Sequence, residues 1–310
     1  MSQLWPLIDR FPGLAKLPRA SLRAGPTPIE QADERLWIKR DDLTADPVGG
    51  NKVRALEFLL GPFASGDRVV TGGSRGSTHV LSTLVHARAL GIHVDAASWP
   101  QDMNDVAQIV DARLDREMRR RHFRSAVTAA MWLTWQSWRG RNVIPAGGTS
   151  PLGILGQVNA GFELAEQVRA AHLPHPDHVV VPLGTGGTVA GLALGFELAG
   201  LKTTIVGARV VPRVIARISR VRHLIRATRH LMESTMQTSL PHGSETEVDV
   251  AEHVYGGAYG RPLPGAPDST TTGIPLDPTY SAKAFVAALD SARTKNTLFW
   301  LTFDSRWMTK

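Results

Sequence analysis

The chain has no cysteine among its 310 residues. That absence excludes disulfides and every metal site built on thiolates. The 11 histidines include no HExxH or His-x-His spacing, so no metal is expected. No apolar run approaches the roughly eighteen residues that a membrane span requires, so no membrane contact is expected. The opening MSQLWPLIDRFPG lacks a basic start and an apolar h-region, which gives a cytoplasmic expectation. No internal repeat or low-complexity tract appears.

What is present is the material of a large core, with 43% hydrophobic and 20% charged residues, enough for two lobes of ordinary domain size. The net charge of +7 invites a nucleic-acid reading until the basic residues are located. They cluster in RLDREMRRRHFR (113–124) and RVIARISRVRHLIRATR (213–229). In the second cluster Val214, Ile218, Val221 and Ile225 recur at helical spacing, while Arg213, Arg217 and Arg220 fall on another face. That is a solvated face over a buried one, and nucleic acid is not expected as a partner.

Short apolar runs alternate with helical patterns. Strands are expected at 36–39, 68–71, 92–97, 142–145, 178–183, 203–211 and 297–302. Helices are expected to start near Asn51, Thr78, Met103, Leu152, Gly187, Pro212 and Pro278, with glycine stops such as Gly61 and Gly91. Such alternation implies an α/β fold with parallel sheets covered on both faces. Residues 236–277 are rich in Gly, Pro, Ser and Thr and read as loops. AAMWLTWQSW carries Trp132, Trp135 and Trp138 near one helix face, a pattern of core or subunit interface rather than a ligand cage.

Two glycine-bearing turns lie between a strand and a helix. GTGGTVAG (184–191) follows HVVVPL, where backbone amides and a helix start can cradle an anion. It is neither a P-loop nor GxGxxG, and a tight strand–helix connection would look the same. TGGSRGSTH (71–79) places Ser77 and Thr78 where a hydroxyl caps a helix or meets a ligand. PVGGNKVRALEF (47–58) sets one lysine, Lys52, at a loop-to-helix junction. A lysine, a phosphate turn and a second loop converging on one small molecule describe a pyridoxal phosphate enzyme.

At these residues the sequence resembles the D-cysteine desulfhydrase and 1-aminocyclopropane-1-carboxylate deaminase family. That family belongs to the fold-type II, tryptophan synthase β-like pyridoxal phosphate enzymes. The resemblance runs in order through WIKRDDLTADPVGGNKVRALEFLLG (37–61), TGGSRGSTHV (71–80), VIPAGGTSPLGILG (143–156), VVVPLGTGGTVAGLALG (179–195), GGAYGRPLP (256–264) and GIPLDPTYSAKA (273–284). It implies two open, twisted, mainly parallel sheets with helices on both faces and the cofactor, pyridoxal 5′-phosphate, in the interdomain cleft. The smaller domain would span 48–160, and the larger would comprise 1–47 plus 161–310. A homodimer is implied as well.

The resemblance also implies roles. Lys52 would carry the cofactor covalently and, once freed, shuttle the α-proton. Ser77, Thr78 and His79 would grip the substrate. Gly184, Thr185, Gly186, Gly187 and Thr188 would hold the phosphate. Asn51, Thr78 and Thr302 would touch the cofactor, Tyr259 and Tyr280 would stand near the substrate, and Ser281 would face the pyridine nitrogen. A hydroxyl at position 281, where the ring-opening deaminases carry glutamate, favours β-elimination from a small β-substituted amino acid, giving pyruvate and ammonia. A racemase or β-replacement enzyme shares the early steps, and a weakly active protein serving as a binding or assembly partner is an alternative of another class.

Four departures from the family pattern surround the expected site. Thr78 replaces an asparagine, and Ala55 replaces a lysine expected near the phosphate, with Arg54 left nearby in sequence. Phe303 and Asp304 replace two glycines. The helix before the LDP motif is shortened to PGAPDSTTT (264–272).

Overall fold

The computed structural model describes residues 4–308. The larger sheet runs β1-β2-β10-β7-β8-β9, formed by β1 (Ile29–Asp33), β2 (Leu36–Arg40), β10 (Thr297–Leu301), β7 (His178–Leu183), β8 (Thr204–Arg209) and β9 (Val248–Ala251). Only the edge pair β1–β2 is antiparallel. The smaller sheet, β5-β4-β3-β6, is wholly parallel and comprises β5 (Arg120–His122), β4 (His93–Trp99), β3 (Arg68–Ser74) and β6 (Asn142–Val143).

Alternation of side chains along each strand explains the coverage of the larger sheet. Val179, Val181, Leu183, Leu298 and Trp300 enter one core with α1 (Pro6–Arg10), α6 (Pro151–Arg169), α7 (Gly187–Ala199) and α8 (Ile218–Met236). Val180, Phe299 and Leu301 point the other way, against α10 (Ser281–Ala292). The strands of the smaller sheet pack with α2 (Asn51–Leu60), α3 (Thr78–Ala89) and α4 (Asp105–Glu117), while α5 (Ala126–Trp138) lies against β3, β4 and β6. Helix α6 runs unbroken through position 160 and packs on both α2 and α7.

Several expectations need correction. Helix α5 buries only Ala129, while Trp135 and Trp138 are 44% and 84% exposed, so the tryptophan stripe is not core. Trp132 alone is partly enclosed, against Phe123. Helix α8 begins at Ile218 rather than Pro212, leaving Val214 exposed and the buried stripe on Val221, Leu224, Thr228 and Met232. Helix α10 begins at Ser281 rather than Pro278 because Asp277 intercepts the preceding backbone, accepting from the amides of Thr279 and Tyr280 at 3.0 and 2.8 Å. Residues 236–277 are not all loop: β9 adds an edge strand beside β8, and Ser269–Thr272 form α9.

Beneath α2 lies a buried ionic network. Arg54 binds Asp41 at 2.6 Å and Glu163 at 2.9 Å, Lys39 binds Glu163 at 2.5 Å, and Arg23 binds Glu57 at 2.7 Å. Three cations meet three carboxylates with side chains almost wholly out of water, which is tolerable only because every charge is paired. The surrounding cations hold the Glu163 carboxyl well below the usual range against the opposing effect of its burial. The network joins β2, α2 and α6, and so fixes the helix that begins with Asn51 and Lys52.

Candidate active site

A cavity of about 540 Å³ opens where the ends of β3, β7 and β10 face one another. Both sheets contribute to it, and it collects Asn51, Lys52, Ser77, Thr78, His79, Gly184 to Thr188, Tyr259, Tyr280 and Thr302. Residues named from six separated segments of sequence thus share one cavity. Ser281 does not line the cavity. It is fully buried, with its hydroxyl donating to the Asp277 carboxylate in a short bond and accepting from the Asp277 amide at 2.7 Å.

The lysine is aimed by its loop. A Cβ on Gly49 would lie 2.0 Å from the Asp42 carbonyl oxygen, and one on Gly50, at φ +113°, would lie 2.6 Å from the Thr302 carbonyl oxygen. Only glycine lets the chain pass here. The Asn51 amide then donates to Thr302 O at 2.9 Å, and the Asn51 side chain donates to Thr188 Oγ1 at 2.8 Å. Lys52 Nζ donates to Gly147 O at 3.2 Å. Protein packed around the amine desolvates it and pushes its pKa down to about 8.

The phosphate-type turn has the expected geometry. Gly186 is left-handed, at φ +90°, and stands at the N-cap of α7 with no side chain capping the helix. The amides of Gly187, Thr188 and Val189 belong to the first turn, where no intrahelical acceptor exists, and all three residues line the cavity. Free donors and the positive end of a helix dipole make an anion cradle. Arg220 adds a cation outside the cradle, donating from Nε to Thr185 O at 3.0 Å. Arg54, by contrast, offers nothing here because its guanidinium is committed to Asp41 and Glu163.

The opposite wall carries the hydroxyl groups. Ser77 caps α3, its Oγ accepting from the Val80 amide at 3.4 Å, and also faces the cavity. His79 Nε2 lies 3.0 Å from Thr71 Oγ1, and burial together with the nearby Lys52 cation pushes its pKa down to about 3. The imidazole is therefore neutral. The phenol oxygens of Tyr259 and Tyr280 are directly hydrogen-bonded, and burial raises both pKa values above the ordinary tyrosine value. Asn104, the N-cap of α4, ties this wall to the smaller sheet by donating to Gly260 O at 2.7 Å and Thr279 Oγ1 at 2.8 Å.

The departure at Phe303 and Asp304 divides on inspection. Asp304 sends no charge into the cavity: it is buried, paired with Arg306 at 2.7 Å, and accepts from the Gly49 amide at 3.3 Å. Phe303 does line the cavity and packs edge-on against Trp307. Sequence reasoning missed Asn104 and Asp277, which position other groups, and Arg124 and Trp99, which line the cavity. The signal for Arg124 was hidden in a run of arginines read together as a solvated surface.

Comparison with known proteins agrees with this geometry. The family model described as "Pyridoxal-phosphate dependent enzyme" matches residues 20–299, and the chain belongs to that family. It is 30% identical to the D-cysteine desulfhydrase of Serratia proteamaculans (strain 568), over 89% of each chain. It is 31% identical to the nocardicin C-9′ epimerase of Nocardia uniformis subsp. tsuyamanensis, over 94% of each. The crystal structure of an ACC deaminase homologue aligns with a TM-score of 0.75 at 30% identity, covering 94% of both chains.

The protein is thus a pyridoxal phosphate-dependent enzyme of fold type II, of the ACC deaminase and D-cysteine desulfhydrase type. The residues present fit that cofactor. The uncapped amides of α7 suit its phosphate, and a desolvated lysine whose pKa is near 8 suits attack on its aldehyde. Bound there, pyridoxal phosphate supplies an electron sink for a bond broken at the substrate α-carbon.

Proposed function

We propose that this enzyme is a lyase that removes the β-substituent of a small amino acid, in the manner of a D-cysteine desulfhydrase, releasing pyruvate and ammonia. The observation that carries this reading is a separation of proton affinities across one cavity. Lys52 sits near 8, while the Tyr259–Tyr280 pair is raised above the ordinary phenol value. Titratable groups pushed apart in this way divide into base and acid.

In this reading Lys52 anchors the cofactor, and its Nζ, once released, takes the proton from the substrate α-carbon. The electron pair left behind becomes the Cα=Cβ bond as the bond to the β-substituent breaks. The substituent departs with the electrons of that bond and takes a proton from the tyrosine pair. Water then hydrolyses the aminoacrylate product to pyruvate and ammonia. Gly184 to Thr188 hold the phosphate, Asn51, Thr78 and Thr302 serve the ring end of the cofactor, and Ser77, Thr78 and His79 bind the substrate carboxylate, while Ser281, bonded to Asp277, stands behind the cavity wall. A serine at position 281, where the ring-opening deaminases carry glutamate, supports elimination over ring opening.

The likeness to an epimerase supports a second reading, in which the α-proton is removed and returned on the opposite face without loss of a substituent. A panel of D- and L-amino acids separates the two. Pyruvate release supports the lyase, whereas α-deuterium incorporation from D₂O with inversion and no pyruvate supports the epimerase.

A further inference from the structure

Arg124, an exposed residue, lines the cavity beside Ser125 and Ala126 at the start of α5, and Val211, Pro212 and Ile215 line the same cavity. Among the described residues lining the cavity, Lys52 and Arg124 are the only charged ones, and no carboxylate is present. Two arginines of the same sequence cluster are neutralised, Arg113 by Glu117 at 2.7 Å and Arg120 by Asp111 at 2.6 Å, and of the others Arg124 is the one that lines the cavity. Among the described residues Arg124 has neither an ion pair nor a hydrogen-bond acceptor. A guanidinium left free in an acid-free cavity wall is a vacant bidentate site for an oxyanion. Lys52 and the α7 amides are committed to the cofactor, so Arg124 remains for the substrate.

We propose that Arg124 selects substrates whose β-substituent carries its own negative charge, as a phosphate, carboxylate or sulfonate. This rests on the lyase reading for the placement of the α-amino acid. The substrate then has two anionic ends. Its α-carboxylate meets the Ser77 loop, and its substituent meets Arg124 near the mouth. Arg124 is exposed, so the contact lies open to solvent and salt, and the start of α5 adds favourable partial charge.

The test uses the full-length holoenzyme with O-phosphoserine as the anionic probe and β-chloroalanine as the neutral one, each as both enantiomers. The ratio of kcat/KM for O-phosphoserine over β-chloroalanine falls about tenfold or more in Arg124→Gln, through KM rather than kcat, and recovers in part in Arg124→Lys. Calorimetric binding of O-phosphoserine to the same proteins weakens in parallel and weakens further with salt. A ratio and an affinity unchanged by Arg124→Gln overturn the inference. Pyruvate from β-chloroalanine with an unchanged ratio keeps the lyase reading and removes this one. Arg124-dependent binding of O-phosphoserine with no pyruvate from either probe keeps the Arg124 anion contact and counts against the lyase reading on which the substrate placement rests.

Discussion

The phenol oxygens of Tyr259 and Tyr280 are hydrogen-bonded to each other at the cavity wall, with ring centroids 6.0 Å apart and planes crossing at 68°. Each hydroxyl is the other's partner, and burial keeps both protonated well past neutrality. The pair acts as one proton-holding unit. Tyr259→Phe and Tyr280→Phe should each lower kcat/KM by about 10²–10⁴-fold. The double variant should be little worse than the poorer single one, because removing either member breaks the unit. Steady-state kinetics of the three variants checks this, and additive losses would show two independent groups.

Lys52 makes a prediction about pH. Its amine titrates near 8 in the folded protein rather than near 10.5, so the unfolded chain binds more protons between those values. Stability of the cofactor-free protein should therefore rise with pH across that window, by the amount this one lysine contributes. The reactive free amine appears over the same range, so the rate of cofactor attachment should climb as pH rises through about 8. Denaturant midpoints and stopped-flow absorbance measure the two effects, and Lys52→Met should remove both.

The ionic network under α2 should be costly to break at one point. Glu163→Gln leaves Arg54 and Lys39 without their shared counter-ion, which should cost about 3–5 kcal/mol of folding stability. Because the folded carboxyl is held below its ordinary value, the wild-type protein loses this contribution as pH falls below the usual carboxylate range. Chemical denaturation of wild type and variant at neutral and acid pH should show their difference shrinking on the acid side.

Gly186 should be irreplaceable on conformational grounds. A side chain at φ +90° is strained by about 1–3 kcal/mol, and its Cβ would also lie 3.3 Å from Val221 Cγ2. Gly186→Ala should therefore weaken cofactor affinity about tenfold or more, with little effect on the Lys52 wall. Titration of the apoprotein with pyridoxal phosphate, followed at its visible band, reads this directly.

Local features of the site were legible in the sequence, and features made by tertiary contact were not. HVVVPL followed by GTGGTVAG announces strand, turn and helix start within a dozen residues, and the structure builds them in place. Arg54 is close to Ala55 in sequence only. Residues two apart on a helix point in nearly opposite directions, so Lys52 faces the cavity while Arg54 faces the ionic network. The α8 boundary was misjudged because Val214 fits the apolar spacing, yet that spacing cannot show where the helix begins. Arg124 was hidden because its chemistry depends on the absence of nearby carboxylates, a property of the fold and not of its neighbours in the chain.

The most direct measurement follows the visible spectrum of purified wild type and Lys52→Ala, with and without borohydride, while pyruvate is assayed over D- and L-amino acids. Wild type should carry a visible cofactor band that borohydride removes, and should release pyruvate from at least one β-substituted amino acid. Lys52→Ala should lack the covalent band and release none. A wild-type protein that stays colourless with added cofactor, or a Lys52→Ala variant that keeps the reducible band and the activity, would contradict the assignment of Lys52.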